Sequence, residues 1–199
     1  MKIKICGLTR KQDIEVVNIH KPNYIGFVFA VSRRMVTPAQ AHELREILHA
    51  DIIPVGVFVD EPQQNILSLA KSGIIDVIQL HGEEDEEYVQ NLKQLTDKPI
   101  IKAVSVQNIG DVQKWHITAA DYLLLDHVGG GTGQKFDWSL IGKTDKPYFL
   151  AGGLNAENIA EAIAKTASFA VDVSSGVETN GLKDPAKIGE FIKRCKCGK

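Results

Sequence analysis

The chain has 199 residues, 44% hydrophobic and 24% charged, with a formal net charge of −2. That length supports one domain with its own core, without disulfides or structural metal, and the slightly acidic balance gives a nucleic-acid role no electrostatic support. Three cysteines, Cys6, Cys195 and Cys197, make no secreted disulfide framework. The opening MKIKICGLTRKQD lacks the apolar stretch of ~7–15 residues of a signal peptide, and no run approaches the ~20 apolar residues of a membrane span, so a cytoplasmic protein with no membrane partner is expected.

Eight short apolar runs recur along the chain. They are KIKIC (2–6), YIGFVF (24–29), IPVGVFV (53–59), DVIQL (76–80), PIIKAV (99–104), DYLLLD (121–126), PYFLAG (147–152) and FAVDVS (169–174), with starts 22 to 29 residues apart. Short Val/Ile/Leu-rich runs flanked by turn residues suit strands of a parallel sheet buried on both faces.

The stretches between them read as amphipathic helices. After the first strand, Thr9 offers an N-cap, with Ile14, Val17 and Ile19 as the apolar positions. Thr37 caps the next stretch with Pro38 at its first helical position. EPQQNILSLAKSG ends in Gly73, a natural helix stop. Asn155 and Asp184 open the last two as N-caps. QNIGDVQKWH and FDWSLIG, after the fifth and sixth strands, are weaker and suit a turn or two. Strand alternating with helix implies parallel pairing. Eight such units fit a single (β/α)8 barrel over residues 1–199, short beside the usual ~250 residues.

Active sites of such barrels lie at the C-terminal strand ends, which directs attention to Cys6, Phe29, Asp60, His81, Val104, Asp126, Gly152–Gly153 and Ser174–Ser175–Gly176. Gly152, Gly153, Ser174, Ser175 and Gly176 follow the seventh and eighth strands, where barrels commonly bind phosphate through freed backbone N–H groups; the alternative is two tight turns that need glycine for geometry alone. Cys6 is either a small buried core residue or a general base whose thiol ionises in the site. Asp126 closes an apolar strand, and partial desolvation would raise its pKa and suit a general acid; the alternative is a turn cap. Asp172 shares side-chain parity with Ser174 and either orients the thiol or a substrate amine, or forms a salt bridge inside the barrel. Arg34 reads locally as one of a solvated surface pair with Arg33, although arginine also binds carboxylates bidentately. His81 is a rim histidine with either a substrate or a structural hydrogen bond. The glycine-rich loop Gly129–Gly133 lacks P-loop spacing, and Cys195-Lys196-Cys197 reads as a frayed tail without a metal site.

Taken together, KICGLT (4–9), YIGFVF (24–29), SRRMVTP (32–38), VGVFVD (55–60), QLHG (79–82), Asp126 with GGTG (130–133) and FDW (136–138), AGGLNAENI (151–159) and DVSSGVE (172–178) span nearly the whole chain in order. In this pattern the sequence resembles the phosphoribosylanthranilate isomerases of tryptophan biosynthesis. The resemblance implies an Amadori rearrangement of N-(5′-phosphoribosyl)anthranilate to 1-(2-carboxyphenylamino)-1-deoxyribulose 5-phosphate. It implies Cys6 as general base, Asp126 as general acid, Arg34 on the anthranilate carboxylate, and phosphate on Gly152, Gly153, Ser174, Ser175 and Gly176. His81 and Asp172 complete the expected substrate-binding set. No metal or cofactor is implied, because the protonated imine is itself the electron sink. A monomer or a homodimer is expected. The segment between Asp126 and Gly130 is shorter than in similar enzymes, which bears on how far a loop would cover the ligand.

Three other readings fit less well. A histidine-pathway aminoaldose isomerase would carry Asp at the ends of the first and fifth strands, where this chain has Cys6 and Val104. An indole-glycerol-phosphate synthase needs strand-end lysines; Lys102 lies in the fifth strand, but Cys6 stands in place of the first. A non-catalytic phosphate-ligand sensor has no need of both a thiol and a carboxyl at the rim.

Overall fold

The computed structural model describes residues 1–127 and 136–197, without the Cys197 side chain. The Gly129–Gly133 loop, and with it the coverage of a ligand by the segment after the sixth strand, lies outside the described residues.

Eight parallel strands close into a barrel in sequence order. They are β1 (Lys2–Cys6), β2 (Tyr24–Val28), β3 (Ile53–Phe58), β4 (Val77–Leu80), β5 (Ile100–Ser105), β6 (Tyr122–Asp126), β7 (Tyr148–Leu150) and β8 (Ala170–Val173). β8 closes on β1 with Lys4 opposite Asp172. Every bound lies within two residues of the sequence expectation. β5 has the expected six residues but starts and ends one later, which makes Ser105, and not Val104, its last residue.

The strands lack clean alternation because both faces are buried. Outward residues such as Ile3, Ile5, Ile25, Phe27, Ile78, Leu80, Leu123 and Leu125 pack against the helices. Inward residues Tyr24, Val55, Val77, Ile101, Leu124, Phe149, Ala151 and Ala170 fill the barrel as a second, separate cluster. Aromatic contacts stiffen it: the Phe149 ring meets Tyr24 at 5.4 Å and Tyr122 at 5.7 Å, edge on. Following the inward parity toward the strand ends, the packing turns polar: Lys4, Gln79 and Asp172, then Cys6, His81, Asp126 and Ser174. The chain therefore gathers Lys4, Asp172, Cys6, His81 and Asp126 toward the C-terminal end of the barrel.

The helices are α1 (Lys11–His20), α2 (Pro38–Glu46), α3 (Gln63–Lys71), α4 (Glu86–Leu95), α5 (Ile159–Lys165) and α6 (Pro185–Cys197). Thr37 caps α2 through a capping box with Gln40. Asp184 Oδ1 accepts from the Ala186 and Lys187 N–H groups at the start of α6. Gly73 takes φ +76° just past α3. Two caps differ from expectation. α1 begins after Arg10, because Asp13 reaches back to the Thr9 and Arg10 N–H groups, and Ile19 faces solvent at 76% exposure while Ile14 and Val17 are buried. Asn155 forms a turn by accepting from Glu157 and Asn158, so α5 starts only at Ile159. The α4 stretch carries its own signal in Asp85, which caps Tyr88 N–H, and in Glu86 and Glu87 at the positive helix start. The weak stretches after β5 and β6 are single 3₁₀ turns, Gln113–Trp115 and Trp138–Ile141.

The cysteine tail is also different. Cys195 lies inside α6, 3% exposed against the core, and burial pushes its thiol up to about 12. It is a core residue of an ordered helix. Among the described residues, no helix is long and apolar enough to cross a membrane.

Candidate active site

Cys6 ends β1 with its side chain inward. It is 8% exposed, and β2 makes room for it: Gly26 lies opposite, and a Cβ there would come within 2.6 Å of the Cys6 sulfur. Gly7 follows at φ +81° and leaves space for Arg34, whose Cδ would lie 2.4 Å from a Cβ on Gly7. The glycines on either side of the thiol thus admit the sulfur and the guanidinium to one corner of the mouth.

Arg34 does not belong to a solvated surface pair. Its side chain is 13% exposed. Glu178 grips it through Nε at 2.7 Å and Nη2 at 3.0 Å, and this bond pushes the guanidinium pKa further up. Arg33 is 57% exposed and also reaches Glu178, at 2.8 Å. Lys183 is the third cation on the same carboxylate, at 2.6 Å, and bonds the Ser174 carbonyl at 2.9 Å. Burial works against ionised Glu178, but the bonds to Arg34 and Lys183 win and hold it below the usual carboxylate range. One buried carboxylate facing three cations leaves local positive charge at the mouth of an acidic protein, which favours an anionic ligand.

The two glycine-containing turns are packed together. Gly152 and Gly153 take φ +81° and +62°. Ser175–Val177 forms a 3₁₀ turn after β8. A Cβ on Gly176 would come within 1.9 Å of the Leu154 carbonyl oxygen, so the contact between the turns depends on glycine there. Ser174 Oγ donates to the Cys6 carbonyl at 3.0 Å, which ties the β8 turn to the thiol strand. Replacing Gly176 with alanine should force the turns apart at a cost of ~1–3 kcal/mol. The expected results are a Tm lower by on the order of 2–10 °C and a raised KM for a phosphorylated substrate. Wild-type values of both would show that the turn contact is dispensable.

Asp126 lies on β6, next to these turns: Gly152 sits where a Cβ would be 3.3 Å from Asp126 Oδ1. Burial pushes its carboxyl up to about 6, the Asp172 charge adding and the His127 N–H bond at 2.7 Å opposing. His81 Nε2 faces Asp126 Oδ2 at 3.6 Å. Burial, with Lys4 adding, lowers His81 to about 4, so its imidazole is neutral at working pH. Gln79 Nε2 lies 2.8 Å from His81 Nδ1. With the amide donating, the ring proton sits on Nε2, toward Asp126. A cleft of about 530 Å³ opens beside Asp126 and His81, walled by Lys102, Ser105, Asn108 and Trp115.

Asp172 is in the barrel salt bridge that sequence left open. Both its oxygens accept from Lys4 Nζ, at 3.0 and 3.1 Å, and Lys4 is wholly buried. Burial pushes the Cys6 thiol up, Lys4 and Lys183 pull it down, and Asp172 adds to the rise. Lys102 faces the other way, out of the barrel, and bonds Glu84 at 2.7 Å.

The fold therefore brings Cys6, Arg34, His81, Asp126, Asp172, Gly152, Gly153 and Ser174–Gly176 to one mouth. Lys4, Glu178 and Lys183 join them and were not singled out from sequence. Lys4 carried a signal: in KIKIC it shares the inward parity of Cys6.

The family model for N-(5′-phosphoribosyl)anthranilate isomerase matches residues 3–194. The chain belongs to the N-(5′-phosphoribosyl)anthranilate isomerase family. A family member from Endomicrobium trichonymphae is 48% identical, covering 96% of each chain. A solved phosphoribosylanthranilate isomerase bound to reduced 1-(o-carboxyphenylamino)-1-deoxyribulose 5-phosphate superposes with a TM-score of 0.86 at 36% identity, over 98% of each chain. The dimeric family enzyme of Thermotoga maritima, solved as generated monomers, matches equally well, with a TM-score of 0.86, 36% identity and 98% of each chain. The strand-end thiol and carboxyl of this chain thus stand on the isomerase fold itself.

Proposed function

We propose that this chain's isomerisation of N-(5′-phosphoribosyl)anthranilate, its step in tryptophan biosynthesis, runs on Asp126 as general acid and Cys6 as general base. The observation that carries this reading is a carboxyl raised to about 6 by burial at the β6 end, sharing one barrel mouth with a strand-end thiol. Asp126 gives its proton to the furanose ring oxygen, and the C1–O bond breaks to leave a protonated imine. That cation acidifies the C2 hydrogen. The Cys6 thiolate takes it, the C–H electron pair forms the enolamine, and tautomerisation gives the ketone. The neutral His81, with Nε2–H toward Asp126, favours the carboxylate left after proton donation.

Gly152, Gly153, Ser174, Ser175 and Gly176 hold the phosphate, and this anchor fixes the sugar chain so that C2 meets the thiolate. Arg34 holds the anthranilate carboxylate. Glu178 occupies Nε and Nη2, which sets the guanidinium plane. Asp172 belongs to the same site through Lys4, and the solved relative's complex with reduced 1-(o-carboxyphenylamino)-1-deoxyribulose 5-phosphate supports the substrate class. The related Thermotoga maritima enzyme's dimer makes a homodimer one of the two assemblies to look for.

Arg34→Ala should raise KM by about 10- to 100-fold with little change in kcat, the loss of one charge-assisted contact. A product analogue without the carboxylate should bind wild type more weakly than one that carries it, and should lose that disadvantage in the variant. An unchanged preference for the carboxylate would remove Arg34 from the anchor. The acid–base reading is tested by steady-state fluorescence of phosphoribosylanthranilate turnover in Cys6 and Asp126 variants.

A further inference from the structure

We propose that Lys4 is a positioning residue for the isomerisation: its buried ammonium, one inward step below Cys6 on β1, favours the thiolate form of Cys6, and Asp172 fixes the ammonium in place. The proposal rests on Cys6 being the base. β1 alternates strictly, so Lys4 and Cys6 both face the barrel interior. Lys4 is 0% exposed, and an ammonium is rarely kept in such a place without a partner. Its partner lies directly across the β1–β8 register, and both Asp172 oxygens bond it. The sulfur has little freedom to move away, because it fills the space left by Gly26.

A buried cation beside the thiolate lowers the cost of ionising it. The charges facing Cys6 come from several elements. Lys4 on β1, Lys183 beyond β8 and Arg34 between β2 and α2 favour the thiolate, and Asp172 on β8 opposes it. Asp126 on β6 and the neutral His81 beyond β4 complete the ring of titratable groups at the mouth. Lys183 and Arg34 are both engaged by Glu178. Lys4 is the cation that comes from below, inside the barrel wall, where water does not screen it.

The test measures the pH dependence of iodoacetamide alkylation in the full chain, with peptide mapping to separate Cys6 from Cys195 and Cys197. Lys4→Met alone leaves Asp172 buried and unpaired, so the decisive variant is Lys4→Met/Asp172→Asn, which removes both charges. Its Cys6 midpoint is expected to rise by about one pH unit, a tenfold smaller thiolate fraction below it. At neutral pH kcat should fall about three- to tenfold with KM little changed, since a rarer thiolate is also more basic, and the gap should close at high pH. Asp172→Asn, which keeps Lys4, should move the midpoint down and speed alkylation. An unmoved or lowered midpoint in the double variant, or a raised one in Asp172→Asn, overturns the proposal. If Cys6→Ala turns over normally while the midpoint still shifts, the base assignment fails and the electrostatic link stands.

Discussion

Cys6→Ala should lower kcat by on the order of 10²–10⁴ and leave KM nearly unchanged. The β8 turn is tied to Cys6 through its backbone, where Ser174 bonds the carbonyl, and Arg34 is held by Glu178, so neither depends on the thiol. Removing one sulfur beside Gly26 leaves a small void and no orphaned charge, because Lys4 keeps both Asp172 oxygens. Substrate should therefore bind and its ring should still open. The imine would then wait for water or a neighbouring carboxylate to take the C2 proton. A variant with turnover within about threefold of wild type would exclude a catalytic role for the thiol.

Asp126→Asn should cost a comparable factor, and its signature lies in the pH profile. Asp126 is raised to about 6 by burial, whereas burial raises the Cys6 thiol above its ordinary value. The working enzyme needs Asp126 protonated and Cys6 ionised. Because the acid has the lower pKa, that form is a minority at every pH. At pH 7 about a tenth of Asp126 is protonated. Its population grows with pH up to about 6, as thiolate accumulates while Asp126 stays protonated. It is then level, because gain of thiolate offsets loss of acid, and falls once the thiol itself has ionised. kcat/KM should follow this shape, since it reports the free enzyme. In Asp126→Asn the change of slope near 6 should disappear, leaving a rate that climbs with pH through the thiol range. Persistence of that change of slope would assign it to the substrate phosphate, whose own second pKa is also near 6.

Much of the barrel was legible because its signals are local. Eight apolar runs bounded by turns, Thr37-Pro38 before α2 and Asp184-Pro185 before α6 each specify an element from a few adjacent residues. Where local signals competed, the sequence misled. Thr9 looked like a cap, but Asp13 could serve both N–H groups from inside the helix. Asn155 folded its own turn before α5 could begin. Cys195 reads as part of a loose tail by its place near the terminus, yet Ile188, Phe191, Ile192 and Cys195 keep the helical i, i+3, i+4, i+7 spacing that buries it.

The site divides in the same way. Cys6, Asp126 and the two Gly/Ser turns sit at strand ends, so chain position alone marks them. Arg34 looked like surface because its partner Glu178 is 144 residues away. Asp172 had two open readings until the register placed Lys4 across from it, 168 residues away. Lys183 was invisible for a related reason: its bond to the Ser174 carbonyl arises from a short β-hairpin, β9 (Glu178–Thr179) with β10 (Leu182–Lys183), too brief to leave a periodic trace. Charge networks that close a barrel join residues that no sequence window contains.

The assignment of each residue to its own step is tested most directly by the kinetic isotope effect with substrate deuterated at ribose C2, measured on kcat in Cys6→Ala and Asp126→Asn. With Cys6 as the base, Cys6→Ala should express a full primary effect, since C2 proton removal then limits the rate. With Asp126 opening the ring, Asp126→Asn should express little or none. Equal effects in the two variants, or a larger one in Asp126→Asn, would contradict these roles.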